Sequence, residues 1–374
     1  MPRTPARVLF VSKPVAPPWN DSSKNLVKDL AQAAHRFEYR VLTPRGYQLP
    51  GDLVLSEELY RGQGSYSPPL LQNLRVLGRL LRRDDSALTH FFFAPNRRSA
   101  DAARLALTWR RRRTVQTVCS TPRSFVGVNG LLFADRVVVL SEHTRHRLIA
   151  AGVPAHRLRL IPPGIRIPPL PDPASRAAIR RRLGVTDDEP LVIYPGDYQF
   201  SSAAETVARA VLQLGDVPAR FVFACRIKQA ASLAAEAQVQ KLLAEGGALS
   251  RVHLLREVPD MLGLLGACDL CLLPAESLYA KMDLPLVLLE AMALGLPLIL
   301  ADRPPLSELV HPSFGTLVPP ADPPALAAAI RALLAAAPAR LRMGEEARRH
   351  AVQRFRIEEI GRQHEDLYQE LIDA

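Results

Sequence analysis

Residues 134–165, ADRVVVLSEHTRHRLIAAGVPAHRLRLIPPGI, hold the pattern that decides the fold. DRVVVLS (135–141) is a strand-like apolar run, and a helical pattern follows over 142–151. The same alternation extends toward the N-terminus: strands over 6–12, 39–44, 88–94 and 114–119, with helices from Ser22, around 70–83 and over 97–111. Strands that alternate with helical crossovers imply a parallel sheet. IPPGIRIPPLPDP (161–173) has six prolines in thirteen residues, which cannot continue a helix or a central strand, and predicts a semi-rigid linker.

A second alternation begins at LVIYPG (191–196) and continues with strands at 220–225, 251–255, 269–274, 297–302 and 315–319. Helices are expected over 202–213, 228–245 and 257–266, then around Glu290 and through to the C-terminus. Ser202 with Glu205 makes an S-x-x-E capping box, so a helix is expected to start just after YPGDYQFS. The expected fold class is α/β, with two Rossmann-like domains whose parallel sheets face each other across a cleft. Ligand loops belong at the carboxyl ends of the strands. The expected division is 1–165, a linker at 166–188, 189–354, and a C-terminal helix at 355–374 that crosses back to the first domain.

Length agrees, since 374 residues exceed one ordinary core. With 48% hydrophobic and 23% charged residues the composition is globular, and no apolar run reaches the roughly 18 residues of a membrane span. MPRTPARVLFVSKP (1–14) shows no signal-peptide core, so the expected compartment is the cytoplasm. Four cysteines fit a reducing environment, and Cys268 and Cys271 point to opposite faces of one strand as core residues. Charge is uneven: residues 1–170 carry 27 Lys+Arg against 11 Asp+Glu, a balance of +16, and the remainder is −5. A basic half suits an anionic acceptor or an anionic membrane face. Nucleic-acid motifs are absent, so no nucleic-acid partner is expected.

LPLVLLEAMALGL (284–296) puts one carboxylate, Glu290, into an otherwise apolar helix pattern ending at Gly295. A carboxylate there needs a partner, and its two oxygens can accept both hydroxyls of a ribose. The alternative is an acid at the edge of an amphipathic helix. There is no GxxxxGK[ST], GxGxxG, HExxH or D-x-D in the chain. No metal site and no cofactor are therefore expected.

Together, "A-D-x-V-hydrophobic-x-x-S-x-x-T" in 134–144, "G-V-P" with "I-P-x-G-I" in 152–165, and "E-A-M-A-x-G-x-P" in 290–297 resemble the family 4 retaining glycosyltransferases of GT-B fold. The resemblance implies transfer of a sugar from a nucleotide diphospho-sugar with retention, the donor acting as co-substrate. The first domain would meet the acceptor and the second the donor. It implies that Glu290 grips the ribose and that the segment after the first strand of the second domain, from Gly196, meets the diphosphate. Where the family has Arg and Lys there, this chain has Asp197 and Ser202. Arg226 and Lys228, in ACRIK, are the candidate substitutes, together with the N-terminus of the Glu290 helix.

Eight residues before Glu290, Met282 replaces the family's first glutamate. Asp283, one position on, is the candidate to accept sugar hydroxyls, and Lys281 to assist the phosphates. Cys119 stands where the family has a histidine, and His90 is the nearest alternative, although a histidine beside three phenylalanines also reads as core. In the first loop, Asn20, Asp21, Ser22, Ser23 and Lys24 replace the family's glycine pair as candidates to line the cleft. The retaining mechanism lets the leaving phosphate take the acceptor's proton, so loss of the histidine is compatible with activity. The lost positions support an alternative, a catalytically inactive GT-B-shaped binding or partner protein. Expected partners are the nucleotide-sugar donor and an anionic or lipid-linked acceptor, with peripheral contact to the inner membrane face.

Overall fold

A computed structural model describes the chain apart from residues 1–4, 34, 62–69, 83, 94–96, 109–111, 123, 228–229 and 280. The chain divides into two units, Met1–Arg166 with Tyr279–Leu286 and Phe355–Ala374, and Ile167–Leu278 with Val287–Arg354.

In the first unit the elements run β1 (Arg7–Val11), α1 (Ser22–Gln32), β2 (Glu38–Pro44), β3 (Val54–Tyr60), α2 (Leu70–Leu81), β4 (Ser86–Phe92), α3 (Arg97–Thr108), β5 (Arg113–Thr117), β6 (Arg136–Val139), α4 (Glu142–Ala150) and β7 (Leu158–Leu160). The sheet order is β3-β2-β1-β4-β5-β6-β7, parallel throughout. Central strands such as β1, RVLFV, and β6, RVVV, are apolar along their length because helices cover both faces. β3 was not anticipated. As an edge strand, VLSEELY is largely half-exposed, and its charged residues break the apolar run that marks the central strands.

In the second unit the elements run α5 (Pro173–Arg182), β8 (Leu191–Tyr194), α6 (Ala203–Leu212), β9 (Arg220–Ala224), α7 (Ala230–Glu245), β10 (Val252–Leu255), α8 (Met261–Ala267), β11 (Leu270–Leu273), α9 (Leu286–Ala293), β12 (Leu298–Ala301), β13 (Gly315–Val318), α10 (Pro323–Ala335) and α11 (Ala337–Arg354). The sheet order, β10-β9-β8-β11-β12-β13, repeats the winding of the first six strands of the first sheet. α9 stops where Gly295 turns left-handed at φ +81°.

Within the predicted linker 166–188 the structure forms α5, capped by Asp172 with Pro173 at its first turn. Buried Arg180 ties α5 to the Ala267 carbonyl and the Asp269 carboxylate, and Arg176 also reaches Asp269. The prolines end before the helix interior begins, so this half of the span is built structure rather than spacer.

The last helix, α12 (Ile357–Asp373), belongs to the first unit and packs on α1 and β4. Ile357, Ile360, His364, Leu367, Tyr368 and Leu371 form its buried stripe. Its start is pinned by backbone pairing, Ile165 N–H to the Phe355 carbonyl and Ile357 N–H to the Ile165 carbonyl. Glu365, fully buried, accepts from the backbone of His35 and Arg36 and from the Tyr39 hydroxyl.

Candidate functional site

In each sheet the winding reverses beside one strand, β1 in the first unit and β8 in the second, and ligands of doubly wound folds bind at the strand ends there. In the second unit that place is made by the loops after β8 and β11. A Cβ on Gly196 would lie 2.0 Å from the Tyr194 ring, so glycine is required for the chain to turn back over that ring. Tyr194 donates to the Asp197 carbonyl at 3.1 Å, fixing the turn. The Asp197 side chain is buried, and its Oδ1 accepts from the backbone of Gln199 and Phe200 at 3.2 Å each. The carboxylate standing at the family's Arg position is thus folded onto its own turn.

The expected capping box does not form. Ser202 has helix-like angles, φ −79° and ψ 5°, and its side chain makes no cap. A cap needs the extended backbone that aims the hydroxyl at the next turn. Glu205 instead pairs with Arg209 at 2.7 Å. The N-terminus of α6 is served by Glu276, from the loop after β11, whose Oε1 accepts from the Ser202 N–H at 2.7 Å. Glu276 Oε2 is buried with no hydrogen-bond partner among the described residues, and so is Nε2 of Gln199, whose Oε1 accepts from Ser232 on α7. Sequence reasoning passed over Glu276, although AES (275–277) follows DLCLLP (269–274) directly, at the edge where ligand loops belong.

Glu290 lies on α9, where Leu288, Leu289, Ala291 and Met292 are fully buried. It shares a half-buried strip with Val287, three residues away, so the acid is at the one partly open edge of an apolar helix. Arg226 stands half-buried just past β9, and Lys228 lies outside the described residues.

In the first unit, the β1–α1 loop closes on itself. Asp21 accepts from the Lys24 N–H at 3.2 Å as the α1 cap and pairs with Lys13 Nζ at 2.9 Å. Lys24 donates to the Ala16 carbonyl at 2.6 Å and, with Lys28, lies over the Trp19 ring. Ser22 and Ser23 open the helix half-buried, and Asn20 is exposed. Cys119 is buried beside Lys13, Asp21, Ser23 and Asp283, and burial pushes its thiol up to about 12. It therefore stays protonated at neutral pH and cannot take over a base's role.

Two candidates lie buried among partners within the first unit. Asp283, only 1% exposed, accepts from Thr121 Oγ1 at 2.7 Å and Ser141 Oγ at 2.6 Å, so both oxygens already hold hydroxyls of the protein. The Thr121 N–H also donates to the Lys281 carbonyl, so Asp283 anchors the segment Tyr279–Leu286 rather than facing an open site. His90 is fully buried on β4, with Nδ1 2.6 Å from the Tyr368 hydroxyl, Nε2 2.7 Å from Thr117 Oγ1, and its ring stacked on Phe92. With both nitrogens occupied, and burial holding its pKa well below the usual range, it is core. Lys281 is half-buried and Met282 buried in the same segment.

Comparison with known proteins identifies the class. Residues 23–167 match the model described as Glycosyltransferase Family 4, and residues 175–350 the model described as Glycosyl transferases group 1. The chain belongs to the family 4 glycosyltransferases and has the GT-B fold.

Among curated relatives, D-inositol 3-phosphate glycosyltransferase of Geodermatophilus obscurus is 32% identical over 58% of this chain and 49% of its own length. Alpha-D-kanosaminyltransferase of Streptomyces kanamyceticus is 28% identical over 53% and 50%. The chain thus spans about half the length of the curated relatives it matches. Among solved structures, sucrose-phosphate synthase from Thermosynechococcus elongatus superposes with a TM-score of 0.82 at 21% identity, covering 99% of this chain and 100% of that one. Anabaena HepE in complex with UDP-glucose gives 0.77 at 19% identity, covering 98% and 100%. At those identities the likeness concerns the fold.

Proposed function

We propose that the chain transfers a sugar from a nucleotide diphospho-sugar to an acceptor hydroxyl with retention of configuration and without a metal ion or other cofactor. The observation that carries this is Glu290, an acceptor-only group on the half-open strip of an otherwise buried helix. In this reading its carboxylate accepts the ribose hydroxyls. Arg226, with Lys228, supplies positive charge for the diphosphate, and Lys281 assists. The HepE complexes hold UDP and UDP-glucose, which makes UDP the first probe.

The new glycosidic bond forms on the face from which the sugar–phosphate bond breaks, and the leaving phosphate oxygen takes the acceptor's proton. No protein base is needed, in keeping with a protonated Cys119 and a buried His90. The basic first half, +16 over residues 1–170, favours an anionic or lipid-linked acceptor at the cytoplasmic face of a membrane.

One observation favours a second reading, a nucleotide-binding protein without turnover: carboxylates stand where the family places cations, Asp197 on the turn after β8 and Glu276 at the α6 end. A panel of nucleotide sugars by calorimetry, followed by NMR of the product's anomeric carbon, separates the two. Retained configuration with activity unchanged by EDTA is expected. An inverted product would overturn retention, and tight donor binding with no turnover or donor hydrolysis would select the second reading. Glu290→Ala should cost roughly 1.5–3 kcal/mol of UDP affinity, as for a lost charged hydrogen bond. Unchanged affinity would remove Glu290 from the site.

A further inference from the structure

Helix α2 departs from the usual rule for surface helices. Val76, Leu77 and Leu80 pack inward against Leu9, Val11, Leu42, Tyr60 and Phe91. The outward side of such a helix is ordinarily polar. Here it carries Leu71, Leu74 and Leu81, which are 69%, 52% and 40% exposed. With Gly78 they fall at i, i+3, i+7 and i+10, one stripe along the helix. Arg75 and Arg82 flank that stripe, and among the described residues neither forms an ion pair. Arg79 is different: it turns inward to Glu57 and Asp84.

The neighbours continue the pattern. α3 packs beside α2 and exposes Leu105 at 57%, and the short turn Val128–Leu131 packs beside α3. Just before that turn Val126 is 91% exposed. Residues 70–83 contain four arginines and no aspartate or glutamate.

We infer that α2 is a docking surface for an anionic phospholipid bilayer. Exposed leucines lined by arginines that form no ion pair among the described residues match a bilayer boundary, where side chains enter the acyl edge while cations meet the headgroups. A second copy of the same face is disfavoured, because it would set Arg75 and Arg82 against their own charge. Among the described residues no single helix is long and apolar enough to cross a membrane. The inference does not depend on the donor reading.

The test is co-sedimentation of the full chain with phosphatidylcholine vesicles, with and without phosphatidylglycerol, at low and high salt. Wild type is expected to bind the anionic vesicles only, with binding weakened by salt. Arg75→Glu with Arg82→Glu should lower the partition by about tenfold or more. Leu71→Ser, Leu74→Ser and Leu81→Ser together should leave only weak, fully salt-reversible binding. Arg181→Glu with Arg182→Glu, the same charge change on α5, should alter nothing. Failure to bind anionic vesicles, equal binding to neutral ones, or an equal loss in the α5 variant would overturn the inference. So would a wild-type dimer in sedimentation equilibrium that the leucine variant abolishes, which would assign the face to a second copy. Should the leucine variant fail to fold, the two arginine variants decide alone.

Discussion

The two units make the same turn in different ways. After β1, the first unit caps α1 with Asp21 and braces it with Lys13 and Lys24, all drawn from one short stretch of chain. After β8, the second unit leaves Ser202 without a side-chain cap and brings Glu276 from 74 residues away to the helix end. A turn whose partners are local is scaffold, because nothing else must move for it to form. A turn held by a distant carboxylate whose Oε2 is buried with no hydrogen-bond partner among the described residues is one that a ligand can rearrange. Histidines differ as well: the first unit buries His90 and His364 completely, and the second keeps His253 and His350 half-buried.

The largest effect should therefore come with acid, and in the first unit. His364 Nδ1 donates to the Ile360 carbonyl at 2.9 Å, and among the described residues its buried Nε2 has no partner, so a proton added there would meet no acceptor among them. Burial lowers its pKa to about 4. The unfolded chain binds that proton near pH 6.5. Between these values the unfolded state holds more protons, so stability is fully present above about 6.5 and falls as pH drops toward 4, by about 3 kcal/mol. Both tryptophans, Trp19 and Trp109, lie in the first half of the chain, so urea unfolding followed by their fluorescence at pH 7 and 4.5 reports this unit. His364→Gln should make the dependence shallower without removing it, because fully buried His90 in the same unit keeps its own lowered pKa. An equally steep loss in that variant would place the acid sensitivity elsewhere.

A smaller effect tests the turns directly. Asp21→Ala removes a cap and a half-buried ion pair and should cost about 1–2 kcal/mol in urea unfolding. Ser202→Ala removes a side chain that caps nothing and should cost under about 0.5 kcal/mol. Equal costs would erase the contrast between the two turns.

How much of this the sequence disclosed follows from the range of each interaction. The central strands were legible because double burial makes them continuous apolar runs, and the stop of α9 because Gly295 is a local signal. β3 was hidden by its edge position, and α5 by the prolines before it, although Asp172-Pro173 is a readable helix start. The family motifs led to Glu290 but not to what surrounds it. That Asp283 is spent on Thr121 and Ser141, His90 on Tyr368 and Thr117, and Glu276 on Ser202 depends on contacts between residues 27 to 278 positions apart, which no local pattern encodes.

The smallest effect is the most specific to the second turn. In Glu276→Gln the amide oxygen can still accept from the Ser202 N–H, so stability should change by less than about 1 kcal/mol, the value of a charge at a helix N-terminus. What disappears is a negative charge at the carboxyl edge of the second sheet, beside the strand where its winding reverses. A diphosphate arriving there would no longer meet a like charge, and removing about 1 kcal/mol of repulsion corresponds to about fivefold tighter UDP binding at low salt. Uridine, which lacks phosphates, should bind the variant and wild type alike. Calorimetry with both ligands reads the difference. A variant that loses affinity for UDP and uridine equally would mean that Glu276 itself grips the nucleoside, and the long-range cap would then be a ligand-binding group at rest.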